Sequence, residues 1–268
     1  MSPLNNSIHA ALSAVLLGLS ACSAAPAATE TEADSDISGE VVNRPATRMG
    51  LMSSLPLYWP LGADLATIAQ GQGEVPWQRA ALAGRYALEP LDTLSPIPAL
   101  AADQPDLDPL ADLRRIAIIQ PRGLSASDNV ALDRWVRGGG RLLLVLDPAL
   151  TGEYDLPLGD ARRPVDTALI PPVVARWGLA VSFDEDQPVA VTTARLGATA
   201  LPLALSGTVA ITDPKAADCT LLANDAAARC RVGKGEVTLL ADAALFEHQA
   251  LAGEGGATMR AVVAEALR

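Results

Sequence analysis

The sequence predicts one α/β domain with a mostly parallel sheet, covering residues 48–268 of the 268-residue chain. Residues 116–119 and 141–146 are short apolar runs of the length and composition typical of strands buried on both faces. A helical pattern and a glycine-rich turn lie between them. Strand, helix and strand in this order favour a right-handed parallel crossover. A third buried run at 237–241 extends the same sheet.

The first part of the domain begins with strand and helix patterns. Residues 50–59 form an apolar run that predicts a strand, and residues 64–70 have helical character. Residues 86–94 predict a second strand. The proline-rich stretch at 96–109 predicts a connection on the surface.

The central helix has a start and a stop signal. Ser125 can accept a hydrogen bond at the helix N-terminus, with Asp128 three positions later. One apolar face follows, made by Leu132, Trp135 and Val136. Three consecutive glycines at 138–140 end the helix, and the strand at 141–146 follows at once.

The second half predicts shorter elements. Residues 168–177 predict a helix interrupted by two prolines, and residues 179–183 predict a strand. Residues 196–212 carry no charge, but Pro202, Ser206 and Gly207 divide them, so a hairpin is favoured over a membrane span. The chain ends with an amphipathic helix at 257–267.

The N-terminus predicts export and a lipid anchor. About a dozen apolar residues at 10–21 are too few to span a bilayer, and they predict a signal peptide at 1–21. A lipobox-like pattern lies at its end: Leu19, Ser20 and Ala21, followed by Cys22. The pattern resembles the lipobox of bacterial lipoproteins, in which the cysteine is lipidated. An ordinary secretory signal with an incidental cysteine is the alternative.

The residues after Cys22 predict a tether to a membrane. Residues 22–47 are rich in acidic and small residues, which cannot build a core. We therefore expect a periplasm-facing protein of the bacterial cell envelope, held at the membrane by its N-terminal lipid. Ser23 resembles the residue at this position in lipoproteins of the outer membrane, which favours that membrane over the inner one.

Two cysteines remain after Cys22. Cys219 and Cys230 predict a disulfide in an oxidising compartment, because a turn centred on Asn224 and Asp225 places them opposite each other in a hairpin. A disulfide that closes such a short loop stabilises the folded state by about 2–3 kcal/mol. A reactive redox pair is the alternative, but it lacks the Cys-x-x-Cys spacing.

Composition excludes several functions. The net charge of −11, from 31 acidic and 20 basic residues, disfavours nucleic acid as a partner. Two histidines and three cysteines are too few for a zinc ribbon or a histidine metal centre. The sequence also lacks the glycine-rich motifs of nucleotide sites, so no metal and no cofactor are expected.

Three segments together carry a resemblance to a known family. SLPLYW at 54–59, the stretch 124–148 and GKGEVTLLADAALF at 233–246 resemble the periplasmic domain of GldG-type ABC-transport auxiliary proteins. That domain is similar to class I glutamine amidotransferases. The resemblance implies a flavodoxin-like, doubly wound, mostly parallel sheet with added β-hairpins. It also implies an ABC permease and ATPase as partners and a glycan as a ligand.

Ligands of open parallel sheets bind at the carboxyl ends of the strands. The candidate ligand-binding residues at these ends are Tyr58, Trp59, Gln120, Arg122, Asp147, Asp242 and His248. The alternative for Asp147 and Asp242 is that they hold backbone N–H groups of the following turns. The alternative for His248 is an ordinary surface position.

No catalytic set is complete in the sequence. The residues after the strand at 141–146 include no cysteine nucleophile, so amidotransferase chemistry is excluded. We therefore expect a non-catalytic envelope lipoprotein, a binding or assembly component of an ABC-type transport system. The alternative is a carbohydrate-active or hydrolytic protein that uses Asp147, Asp242 and His248.

Overall fold

The structure is a computed structural model that describes residues 46–71 and 73–268. The predicted signal peptide at 1–21, the predicted lipidation site Cys22 and nearly all of the predicted tether at 22–47 lie outside the described residues. The strands, in chain order, are β1 Thr47–Ser53, β2 Tyr86–Pro90, β3 Arg115–Ile119, β4 Arg141–Val145, β5 Leu179–Ser182, β6 Val191–Leu196, β7 Thr199–Ala204, β8 Thr208–Ile211, β9 Asp218–Leu222, β10 Ala227–Val232 and β11 Gly235–Leu240.

The helices are short and lie between or after the strands. They are α1 Leu65–Ala69, α2 Trp77–Ala83, α3 Ala126–Arg137, α4 Pro172–Arg176, α5 Ala244–Glu247 and α6 Ala257–Ala266, with a 3-10 turn at Glu254–Gly256 before the last. None of these described helices has the length and apolar character that crossing a bilayer requires.

The central sheet has seven strands in the order β2-β1-β3-β4-β11-β10-β9. Its first five strands are parallel, and β10 and β9 add an antiparallel edge. The sheet is open, with β2 and β9 at its two edges. The predicted mixed α/β fold with a mostly parallel sheet is therefore confirmed.

Both faces of this sheet are buried. On one face, alternate strand residues such as Leu143 and Val145 pack with α6 and the β6-β7 hairpin. On the other face, Leu142 and Leu144 pack with α3 and α4. Because neighbouring strand residues point to opposite faces, strands covered on both faces become continuous apolar runs, which is the pattern that made them predictable.

The central helix α3 has the predicted start. The Ser125 hydroxyl accepts a hydrogen bond from the Asp128 backbone N–H at 3.0 Å, and the Asp128 carboxylate accepts one from the Ser125 N–H at 3.2 Å. The same carboxylate also accepts from the backbone N–H groups of Leu94 and Ser95. Asp128 therefore caps the helix and also binds the segment just before the proline-rich connection.

The predicted hairpin within residues 196–212 is wrong. Strand β7 pairs with β6, and β8 pairs with β5 instead. The turn between β6 and β7 is formed by residues 197 and 198, where Gly197 adopts a φ of 59°. The uncharged stretch therefore begins at the end of one strand, and the turn lies at its first glycine, not at the proline, serine and second glycine on which the prediction rested.

The predicted disulfide is confirmed. Cys219 on β9 and Cys230 on β10 are direct cross-strand partners, and they form the disulfide. The ladder closes at residues 222 and 227, so a four-residue loop joins the strands. Asn224 and Asp225, at its centre as predicted, both have positive φ, which these two residue types tolerate better than most.

Candidate functional site

Gln120, at the carboxyl end of β3, is fully buried and ties that strand end to its neighbours. Its side-chain N–H₂ donates to the backbone carbonyls of Asp147 at 2.9 Å and Val165 at 3.0 Å. Its side-chain oxygen accepts from the Asp147 backbone N–H at 2.8 Å. Every one of these partners is backbone, so the amide holds two loops in place.

Asp147 follows β4, and its side chain is also fully buried. One carboxylate oxygen accepts from the backbone N–H of Ala149 at 2.8 Å, and the other accepts from that of Ala243 at 2.7 Å. Burial raises the pKa of this carboxyl to about 6, against the opposing effect of the two N–H donors.

Asp242 repeats this arrangement at the end of β11. Its carboxylate accepts from the backbone N–H groups of Ala204 at 2.6 Å and Ala244 at 2.8 Å, which joins β11 to β7. Burial and the nearby charge of Asp147 raise its pKa to about 7. The geometry fits the alternative in which Asp147 and Asp242 hold backbone N–H groups.

His248 lies just after α5, where it is half-buried. Its Nε2 lies 2.8 Å from the hydroxyl oxygen of Thr151. The adjacent Glu247 accepts four hydrogen bonds, from the backbone N–H groups of Thr151 and Gly152 and from the hydroxyls of Thr151 and Tyr154. These contacts fasten the loop after β4 to α5.

The local sequence pattern did not predict Thr151, Tyr154 or Glu247 as part of this site. Burial, followed by the neighbouring Glu247 carboxylate, raises the pKa of the Tyr154 hydroxyl above its ordinary range. The signal for Glu247 was its place beside His248 after a strand end. Nothing in the sequence indicated the loop residues, because they meet Glu247 across more than ninety positions.

Tyr58 and Trp59 line a cleft of about 230 Å³ at the carboxyl ends of β1 and β2. Their rings meet edge to face with centroids 4.8 Å apart. The Arg79 guanidinium lies over the Tyr58 ring at 4.1 Å and donates to the Tyr58 carbonyl. Trp59 is 41% exposed, so its indole is open to a ligand.

Polar groups line the same cleft. Ser53 and Ser54 contribute from the end of β1, Asp92 contributes from the segment after β2, and Arg162 comes from the long loop after β4. Arg162 forms a two-point pair with Asp160, at 3.1 and 2.8 Å. Asp92 and Arg162 were not predicted, because nothing in their local sequence pattern shows that two distant loops meet at β1.

Arg122 is exposed, and its charge assists Arg162 in lowering the pKa of Asp160. The seven predicted residues therefore fall into separate groups. Gln120, Asp147 and Asp242 form a buried network, whereas the aromatic pair lines an open cleft. Within the described part of the chain, no group of three histidine, cysteine or acidic residues is arranged to hold a metal ion.

No family model and no curated protein matches the chain. Among solved structures, it is similar to an exo-β-1,4-mannosidase from Opitutaceae bacterium strain TAV5, with 13% identity, a TM-score of 0.47 and coverage of 83% of this chain and 36% of that one. It is also similar to a cold-adapted β-galactosidase from Rahnella sp. R3, with 11% identity, a TM-score of 0.43 and coverage of 80% and 30%.

A catalytic mutant of a GH42 β-galactosidase from G. stearothermophilus gives 13% identity, a TM-score of 0.39 and coverage of 75% and 28%. The chain thus spans about a third of the length of these enzymes. The predicted main function, a component of an ABC-type transport system, is corrected by this finding, because the similar structures are glycosidases and not transport components.

Proposed function

We propose that this domain binds glycans in the cleft that Tyr58 and Trp59 line. The observation that carries the proposal is an exposed aromatic pair beside charged and hydroxyl groups, placed together at the carboxyl ends of two parallel strands. The apolar face of a sugar ring stacks on an aromatic ring, and its hydroxyls need hydrogen-bond partners around the edge. The cleft offers both.

The charged residues of the cleft supply directional contacts. Asp92 offers carboxylate oxygens as acceptors, and Arg162 offers guanidinium N–H donors. The ion pair with Asp160 orients the Arg162 guanidinium group before a ligand binds. Prior orientation reduces the entropy that binding costs. The volume of about 230 Å³ lies below the ~300–1,000 Å³ range of drug-sized ligand sites, which favours one sugar residue or a chain end.

The fold supports this location. We propose that the domain is a doubly wound, flavodoxin-like sheet similar to that of class I glutamine amidotransferases, because its parallel strands follow the spatial order 2-1-3-4-5 when β11 is counted as the fifth. Sheets of this order bind ligands beside the first strand, where the order reverses. The cleft lies at the end of β1.

The described geometry favours binding over hydrolysis. Glycoside hydrolysis ordinarily needs two carboxyl groups that flank the scissile bond. Among the described residues that line the cleft, Asp92 is the one carboxylate. Asp147 and Asp242 are buried, and backbone N–H groups occupy both oxygens of each.

The proposal also places the domain at the bacterial cell envelope. The resemblance of residues 19–22 to a lipobox supports lipidation of Cys22, and the acidic residues that follow support a tether. The disulfide between Cys219 and Cys230 is typical of proteins outside the cytoplasm. A lipid-anchored domain in this place meets the glycans of the envelope.

The test is calorimetric titration of the purified domain with neutral hexose oligomers and N-acetylhexosamine oligomers. We expect one of these probes to bind and the Trp59→Ala variant to bind it about 10-fold more weakly, since losing one stacked ring costs about 1.4 kcal/mol. Ile97→Ala is the matched control, because Ile97 is 43% exposed and lies outside the cleft.

A second pair of variants separates the cleft from general surface charge. Arg162→Ala should weaken binding, whereas Arg231→Ala, which removes an exposed arginine from β10, should not. Binding that survives both Trp59→Ala and Arg162→Ala would overturn the proposed site. No binding of any glycan in the panel would overturn the proposed function.

A further inference from the structure

A second surface lies between α3 and α4, on the face of the sheet opposite α6. Its groove of about 610 Å³ has an apolar floor that includes Val130, Pro172 and Val173. Val130 is 59% exposed, and Leu169, just before α4, is 62% exposed. An apolar surface of this kind, with polar groups around it, is typical of sites that bind another protein surface.

Positive charge surrounds this groove, in a chain whose net charge is −11. Arg134, Arg137 and Arg176 line it, against the single carboxylate of Asp133. Hydrogen bonds from Arg137, Trp177 and Arg176 occupy Asp133 and, despite its burial, lower its pKa. The exposed Arg134 side chain has no hydrogen bond or ion pair within the described residues.

The complementary surface is on the same chain, in the loop that follows β5. Asp184, Glu185 and Asp186 are all exposed, and there is no lysine or arginine from residue 177 to residue 194. Val189, three residues farther on, is 87% exposed. The loop thus presents three negative charges next to an apolar side chain, which matches the composition of the groove.

This acidic loop is held in a defined shape. The Asp184 carboxylate accepts a hydrogen bond from the Asp186 backbone N–H at 3.0 Å. The Gln187 side chain donates to the carbonyls of Asp184 and Ser206. A preformed loop loses less conformational entropy when it docks than a flexible one does.

We propose that the groove between α3 and α4 binds the acidic loop 184–189 of a second copy of this chain. Val189 would pack against Val130 and Val173, while the carboxylates would face Arg134 and Arg176. This surface is separate from the cleft at β1, so the proposal stands apart from glycan binding. A contact made by one six-residue loop implies a weak, reversible association, which a shared membrane anchor would favour.

The salt dependence of association separates this pairing from nonspecific behaviour. At physiological ionic strength the repulsion between two net-negative domains is largely screened beyond ~8 Å, whereas opposite charges in direct contact still attract. We therefore expect sedimentation velocity of residues 46–268 to show association between about 10 µM and about 1 mM in 0.15 M salt, and less association in 1 M salt. Association that grows with salt would contradict the proposal.

Charge reversal supplies the decisive test. The groove variant Arg134→Glu with Arg176→Glu and the loop variant Glu185→Lys with Asp186→Lys should each be monomeric, since each then sets like charges against like. An equimolar mixture of the two should associate again. The control is Arg231→Glu, a reversal at a 74% exposed arginine on β10, which should leave association unchanged.

Circular dichroism melts of each variant exclude misfolding as the cause of a monomer. A wild-type domain that stays monomeric throughout the concentration range would overturn the proposal. So would a mixture of groove and loop variants that fails to associate, because that result would show that these two surfaces do not meet.

Discussion

The two ends of the carboxyl edge of the sheet use polar residues differently. At β4 and β11, Asp147 and Asp242 are buried, and both carboxylate oxygens of each accept hydrogen bonds from backbone N–H groups. At β1 and β2, Trp59, Asp92 and Arg162 line an open cleft. The same edge therefore stabilises the fold at one end and presents groups to a ligand at the other.

The difference shows that position at a strand end does not decide whether an acidic residue binds a ligand. What decides it is whether the loops that follow cover the strand end. The loop after β4 and the segment around α5 close over Asp147 and Asp242, fastened by Glu247. No such cover closes the described cleft over Trp59, which keeps 41% of its surface exposed.

The largest effect that would test this comparison is on stability. We expect Asp242→Ala to lower the free energy of unfolding by about 2–5 kcal/mol, because it leaves the backbone N–H groups of Ala204 and Ala244 unpaired in the interior. Urea unfolding measures the change. A loss below about 1 kcal/mol would show that Asp242 does not support the fold in this way.

The pH dependence of stability follows from the same two carboxyls. Their folded-state pKa values, about 6 for Asp147 and about 7 for Asp242, lie above the ordinary 3.8, so the folded chain keeps protons that the unfolded chain has released. Stability from this source is full below pH 3.8 and is lost as the pH rises through about 6 and 7. We expect a fall on the order of 5 kcal/mol between about pH 4.5 and about pH 8.

Asp242→Asn is the control for that profile, since it removes one of the two titrating groups and should flatten it. Asp128 affects stability at lower pH and in the opposite direction. Hydrogen bonds lower the pKa of Asp128 despite its burial, so its contribution is lost only as the pH falls below the ordinary range for aspartate. A wild-type profile that rises between pH 5 and pH 8 would contradict the assignment.

The disulfide stabilises the opposite edge of the sheet and should leave the cleft unaffected. Replacing Cys219 and Cys230 together by alanine should cost about 2–3 kcal/mol, as expected for a loop of this length. Glycan affinity of the folded variant should not change. Urea unfolding and calorimetric titration of one preparation measure stability and affinity together. A loss of affinity alongside the loss of stability would show that the disulfide edge and the cleft are not independent.

A smaller effect is expected from Arg79, which positions Tyr58 and does not line the cleft. Arg79→Met removes the cation over the Tyr58 ring and should weaken glycan binding by about 3-fold, since such contacts are worth about 0.5–1 kcal/mol at exposed sites. Arg79→Lys should restore part of the affinity, which loss of packing alone would not explain. Equal affinity for all three proteins would remove Arg79 from the account.

The smallest effect is expected at His248. Its contact with Thr151 helps to hold the loop after β4 against α5, away from the cleft. His248→Ala should therefore leave glycan affinity within about 2-fold of wild type. The same titration measures this. A loss comparable to that of Trp59→Ala would place the ligand at the β4 and β11 end instead.

The sequence predicted the central sheet well because its strands are buried on both faces. Continuous apolar runs such as 116–119 and 141–146 leave little choice of structure, and the Ser125 cap and the glycines at 138–140 mark the helix between them. The outer elements were less predictable. Strand β7 pairs with β6 because the chain turns at Gly197. That glycine lies in an uncharged stretch whose pattern did not indicate a turn there.

The candidate site was predictable only in part. Tyr58 and Trp59 were identified because they end the apolar run 50–59, although the strand itself ends earlier, at Ser53. Asp92 and Arg162 were not, since each comes to the cleft from a loop whose path is set by tertiary packing. The burial of Asp147 and Asp242 depends in the same way on loops distant in sequence, which local patterns do not describe.

The central claim is that the open end of the edge binds glycans and the covered end does not. The most direct measurement is a nitrogen-proton correlation NMR titration with the hexose and N-acetylhexosamine oligomers. We predict that the Trp59 indole N–H signal shifts on binding, whereas the backbone N–H signals of Ala204, Ala243 and Ala244 do not. Shifts confined to those three alanines, with Trp59 unchanged, would contradict the account.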